Sequence, residues 1–163
     1  DTVFDRDSFE AYKVSAPLRD TSGRNDLALA KACEDESYYY FYIQTSEPVA
    51  GYAEENGMTL FLAAGNRADY DAAVNRLAQT DSAGLSVEVR TPDGAWQPAG
   101  LAAYRVEGNQ MMVAVPKSVL PKEAAEHGVA FKWADHFEED RTSFYTKGSA
   151  LPFGKFNLLY QGK

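Results

Sequence analysis

Six consecutive residues, Tyr38-Tyr39-Tyr40-Phe41-Tyr42-Ile43, constrain the fold more than any other part of the chain. Aromatic and β-branched side chains suit a pleated surface, so this run is expected as a strand. Successive side chains then point to opposite faces. Tyr39, Phe41 and Ile43 make an apolar face fit for a core, and Tyr38, Tyr40 and Tyr42 fall on the other. That second face either lines a groove for a ligand or lies under the N-terminal segment, since tyrosine tolerates a wet edge.

The rest of the chain agrees with a β reading. Leu27 to Cys33 reads as a strand with Leu27, Leu29 and Lys31 on one face and Ala28, Ala30 and Ala32 on the other. Met58 to Ala63 is a short buried strand, and Leu85, Val87 and Val89 alternate with polar residues at the period of a half-buried one. Pro92-Asp93-Gly94 is a turn; Leu101–Val106 and Gln110–Val115 flank a hairpin at Gly108-Asn109, residues that tolerate positive φ. Lys117–Glu126 holds a helical turn or two, and Val129–Ala134 and Lys155–Gln161 are the last strands. About eight or nine short strands with little helix predict an all-β fold. The expected architecture is an antiparallel β-sandwich, jelly-roll or immunoglobulin-like, with one or two short helices. The 163 residues suffice for one core, and residues 1–163 are expected as a single domain whose first 26 residues wrap its edge.

Charge narrows the function classes. Sixteen Lys and Arg against 24 Asp and Glu give a net charge of −8, which argues against nucleic acid and anionic membrane surfaces as partners. No apolar run approaches the roughly 20 residues that span a bilayer, so no membrane insertion is expected. Cys33 is the single cysteine; it rules out an intramolecular disulfide and reads as a small buried hydrophobe in a strand. A chain that opens at Asp1 without Met or signal peptide is expected to be an excised domain or a mature chain.

Catalysis finds no support in the pattern. His127 and His136 lack the spacing of a zinc protease site, and neither a nucleophile elbow nor a phosphate-cradling loop is present. Glu138, Glu139 and Asp140 form the densest acidic cluster, which reads as a solvated loop. No catalytic residue is assigned.

Several segments, in order, carry a resemblance. They are Thr21-Ser22-Gly23-Arg24-Asn25-Asp26, Tyr40-Phe41-Tyr42-Ile43-Gln44-Thr45, Asp69-Tyr70-Asp71 with Val74-Asn75-Arg76, and Gly108-Asn109. Phe131-Lys132-Trp133-Ala134-Asp135-His136, Phe144-Tyr145 and Gly148 to Phe156 follow. Together they resemble the family 9 carbohydrate-binding-module-like (DOMON-like) β-sandwich appended to bacterial glycoside hydrolases, over about Thr21 to Tyr160. The resemblance implies a non-catalytic accessory domain that is secreted, whether extracellular, periplasmic or at the cell surface. It implies polysaccharide or oligosaccharide as partner and a tethered catalytic domain in a larger chain. It requires no cofactor and allows a structural calcium ion with an undefined ligand set. Between Phe61 and Asp71 the chain departs from the pattern, lacking the acidic residues and the Trp of the relatives.

Sugar recognition needs a flat apolar ring and a few fixed polar groups. The carbohydrate-binding candidates are Trp96, Tyr52, Tyr40 and Tyr42. A two- or four-residue loop at Asp93-Gly94 puts Trp96 on the core face of Leu85, Val87 and Val89; a three-residue loop turns it outward. Tyr52 sits in a Gly-containing loop, free to be exposed. Trp133 alternates with Phe131 as core, with Lys132 on the opposite face. Arg24 and Arg76 read as structural ion-pair partners of carboxylates such as Asp26 and Asp135. Asp135 and Asp140 offer hard oxygens, too few to define a calcium site. The expected function is glycan binding by aromatic stacking; the alternative is a structural or protein-interaction sandwich with no sugar site.

Overall fold

The computed structural model describes residues 24–54, 57–67, 69–77, 83–137, 148–152 and 156–162. The expected N-terminal wrap up to residue 23, the Glu138–Asp140 cluster and Phe144-Tyr145 lie outside them. Strand β1, Leu27–Glu34, turns at Asp35 into β2, Tyr38–Thr45. Then follow β3, Thr59–Ala64; β4, Ala72–Val74; β5, Leu85–Arg90; and the long β6, Trp96–Glu107. A two-residue turn at Gly108 (φ 57°) and Asn109 leads into β7, Gln110–Pro116. A 3-10 turn at Lys117–Val119 and a short helix, α1, Glu123–His127, precede β8, Val129–Asp135. Strands β9, Ser149–Leu151, and β10, Leu158–Tyr160, complete the set.

All strand pairings are antiparallel, in the order β1-β2-β7-β6-β5-β4-β3-β8, with β9 and β10 both on the free edge of β8. The ribbon folds into a sandwich because β6 belongs to both layers. Trp96 to Ala102 pair with β5, and Ala103 to Glu107 pair with β7. A bulge opposite Val87 and Glu88 absorbs one extra β6 residue beside Gly100, whose φ of 129° only glycine adopts at low cost. Pro98, unable to donate to a ladder, sits at this irregularity. The first sheet is therefore β1-β2-β7 and the end of β6; the second is the start of β6, then β5-β4-β3-β8 with β9 and β10. On the other side the layers nearly close, where the Leu27 N–H donates to Ser149 Oγ at 3.2 Å.

The core fills the space between. Tyr39, Phe41, Ile43, Met111, Val113 and Val115 from the first sheet meet Leu60, Leu62, Val74, Leu85, Val87, Phe131 and Trp133 from the second. Phe41 and Phe131 touch across the layers with ring centroids 5.1 Å apart. Each such side chain contributes about 1.5–3 kcal/mol when fully buried. The apolar face expected for Tyr39, Phe41 and Ile43 and the core place of Phe131 and Trp133 are thus borne out, as is the all-β sandwich.

Three local expectations are corrected. A register shift between Leu27 and Leu29 resets the alternation of β1, so Leu27 is buried while Leu29 and Lys31 point outward and Ala30 and Ala32 pack on the core. The same shift puts Cys33 outside, exposed rather than buried. Strand β6 begins at Trp96, five residues before the expected Leu101, because the turn closes early.

Candidate ligand-binding face

The outer face of the first sheet presents two cross-strand rows. Register pairs Lys31 with Tyr42, Tyr42 with Met112 and Met112 with Arg105. In the next row Cys33, Tyr40, Ala114 and Ala103 lie side by side. Between the rows runs an open groove of about 430 Å³ lined by Lys31, Ala32, Cys33, Tyr40, Tyr42 and Met112. Met112 is 47% exposed and Leu29 40%, so apolar surface on this face remains in contact with water.

The rings of the groove are held by their hydroxyls. Asp35, in the β1–β2 turn, accepts N–H bonds from Ser37 and Tyr38, each at 2.8 Å, and the Tyr40 hydroxyl at 2.6 Å. The Tyr40 hydroxyl, with the two amides, holds the Asp35 carboxyl below its ordinary range, and the same bond raises the Tyr40 phenol. Tyr42 donates to Gln44 Oε1 at 3.3 Å, and the Lys31 ammonium lies 5.9 Å from the Tyr42 ring centroid. The rings of Tyr38 and Tyr40 are 6.2 Å apart and tilted by 41°. The result is a short aromatic row with fixed orientation, one cation beside it and one carboxylate at its far end.

The other two candidates lie elsewhere. Thr91 N–H donates to the Ala95 carbonyl at 2.8 Å, closing a three-residue loop over Pro92–Gly94. Trp96 therefore pairs with Arg90 and leaves the face of Leu85, Val87 and Val89 for the outer face of the second sheet. There it is half-buried, with the guanidinium carbons of Arg76 and Arg90 at 5.4 and 5.9 Å from its ring centroid. Tyr52 is half-buried rather than free: its ring sits 5.7 Å from Tyr104 against the core, and a hydrogen bond to Tyr104 raises its phenol. Only Tyr40 and Tyr42 among the four candidates come together.

The outer face of the second sheet is closed. Phe61, Ala73, Ala134 and Phe137 form a second small core, with Tyr70 4.9 Å and Phe137 5.1 Å from the Phe61 ring. Arg76 holds Glu88 by two parallel bonds of 2.8 Å. Lys132, on the face expected, is fully buried and donates to the Pro152 carbonyl at 2.5 Å; burial lowers its pKa to about 7.

The two distinctive motif stretches meet in one knot. Asp135 accepts Arg24 Nε at 3.0 Å and Asn25 Nδ2 at 2.8 Å, while Arg24 also reaches Glu54 at 2.7 Å and the Gly51 carbonyl at 3.1 Å. Burial raises the Asp135 carboxyl, against the pull of Asn25 and Arg24. Arg24 with Asp135 is as expected; Arg76 takes Glu88 instead of Asp26, which accepts from Ser46 at 3.1 Å. Both Asp135 oxygens are engaged, so Asp135 is a poor calcium ligand as it stands, and Asp140 lies outside the described residues. A second concavity of about 540 Å³ includes Arg67, Asp71, Glu123 and His127, but Arg67 and Asp71 are paired with each other. Its described lining holds no Phe, Tyr or Trp.

No family model, curated protein or solved structure matches this chain. The resemblance to the family 9 modules stands on the motif residues alone, and the ligand question rests on the geometry of the tyrosine face. Sequence reasoning missed Lys31, Cys33 and Met112 as parts of that face. Lys31 and Cys33 were hidden by the register shift between Leu27 and Leu29, and Met112 by strand order, since β7 neighbours β2 in space but not in sequence.

Proposed function

We propose that this chain is a non-catalytic glycan-binding domain of the family 9 carbohydrate-binding-module-like type, exported and tethered to a polysaccharide-degrading enzyme. The observation that carries the reading is the groove in which Tyr40 and Tyr42 stand side by side on an open sheet face, each with its hydroxyl tied down. Rings whose orientation is already fixed lose little freedom when a sugar stacks on them, so more of the contact appears as affinity. Gln44, Asp35 and Lys31 supply polar groups for hydroxyls beside the rings. A weak contact of this kind raises the effective concentration of a tethered catalytic domain near polymer.

The test is affinity electrophoresis of the chain against a panel of soluble polysaccharides, with and without chelator. Retardation by a glycan, abolished in Tyr42→Ala, supports the reading, and chelator sensitivity would bring an ion into it. Unchanged mobility with every glycan favours a second reading, a protein-interaction face, which the exposure of Leu29 and Met112 around the same groove supports.

A further inference from the structure

The charges around the groove are unevenly placed. Lys31 lines it, and among the described residues its ammonium contacts only the Tyr42 ring, with no carboxylate in ion-pair range. The other cations near this face are engaged: Arg105 pairs with Glu107, and Lys117 with Glu34 at 2.8 Å. Asp35 sits at the opposite end, bonded to Tyr40. In a chain of net charge −8, an ammonium over an aromatic ring, with no carboxylate partner among the described residues and none in the groove's described lining, is a local reversal of sign. Ring faces attract cations and sugar C–H groups, not anions, so an anionic substituent belongs next to the ammonium rather than over Tyr42.

Resting on the glycan-binding reading, we propose that the groove takes an acidic glycan, with a negatively charged sugar at the Lys31–Tyr42 end and a neutral one over Tyr40. The charge is a uronate carboxylate or a sulfate ester, which an ammonium point charge accepts alike. Asp35 fixes the direction: its carboxylate repels the anion and accepts hydroxyls of the neutral sugar. Chain charge adds selectivity, because a protein of this acidity does not gather polyanions non-specifically.

The experiment compares two matched pairs by affinity electrophoresis: polygalacturonate against the same polymer with its carboxyl groups reduced, and dextran sulfate against dextran. The charged member of one pair is expected to bind at least about tenfold more tightly, the size of one charge-assisted hydrogen bond. Which pair shows the preference identifies the source of the charge. Lys31→Met should erase the preference and Lys31→Arg keep it, with unchanged circular dichroism in both. If charged and neutral members retard the protein equally, or Lys31→Met leaves the preference intact, the acidic-glycan assignment is overturned. Neutral polymers that still bind, and lose binding in Tyr42→Ala, would then leave the glycan reading standing. Retardation by none of the four overturns both.

Discussion

The two outer faces of the sandwich were built from similar material and put to opposite use. Each carries aromatic rings and basic side chains on alternate strand positions. On the second sheet Phe61, Tyr70, Phe137 and Trp96 pack on one another and on Arg76 and Arg90, and Phe61 is only 4% exposed. On the first sheet Tyr38, Tyr40 and Tyr42 stand in a row in contact with water. The difference lies in what surrounds the rings. Around Phe61, the loop bearing Tyr70, together with Phe137 two residues past β8, folds back as a cover; Tyr70 is fixed there by donating to Asn157 Oδ1 at 2.8 Å. Among the described residues, the tyrosine row has only its own strand turn and neighbouring strands around it. Aromatic content alone therefore does not set the two faces apart; the difference is that, among the described residues, no second layer lies over the tyrosine row.

Substitutions can break this comparison. Phe61→Ala should cost about 3–5 kcal/mol in urea unfolding, whereas Tyr42→Ala should cost about 1 kcal/mol or less and affect binding instead. Equal losses at the two sites would mean that both faces are core. Next in size, Glu88→Ala removes the carboxylate that holds the half-buried Arg76 guanidinium by two bonds and should lower stability by about 1.5–3 kcal/mol. The double change Arg76→Met with Glu88→Leu should recover most of that; failure to recover would show that Arg76 matters through contacts other than Glu88, the Trp96 ring among them.

Lys132 sharpens the comparison through pH. Its folded pKa, about 7, lies below that of an exposed lysine because burial penalises the ammonium. Between that value and the unfolded pKa the unfolded chain holds more protons, so stability rises with pH across this window and is lost as pH falls toward 7. The slope approaches, at most, about 1.4 kcal/mol per pH unit. Melting temperatures from pH 7 to 9 should climb in the wild type more than in Lys132→Met; parallel curves would mean that the ammonium stays charged in the folded protein. Smallest in its effect on stability is modification of Cys33. Its exposed thiol should react with a maleimide in the native state without shifting the melting temperature, yet block the groove. A thiol that reacts only after unfolding would place Cys33 under cover and remove it from the binding face.

Much of the fold could be read from side-chain alternation. The β2 run announced both its core face and its tyrosine face, and Leu60-Phe61-Leu62-Ala63-Ala64, apolar at every position, belongs to a strand buried on both sides. What alternation cannot carry is phase. The register shift between Leu27 and Leu29, around Ala28, parted Leu27 from Leu29 and Lys31 and turned Cys33 outward. One residue of loop length decided the side on which Trp96 emerged. Burial of Lys132 was hidden for another reason: its cover comes from residues far along the chain, and a lysine within an apolar strand looks the same whether its outer face is wet or dry. The candidate site was legible as far as Tyr40 and Tyr42, one strand deep; its remaining members come from strands that the topology brings alongside.

The knot at Asp135 has a mechanical meaning. Arg24 and Asn25 precede β1 by only a few residues, yet they are fastened to the end of β8 in the opposite layer, more than a hundred residues away. A pull on the chain from upstream of Arg24 meets this clamp before it can peel β1 away from β2. The load passes directly into β8, which is flanked on both edges by other strands. The tyrosine row, one strand in from β1, is thereby shielded from tension applied on that side of the sheet.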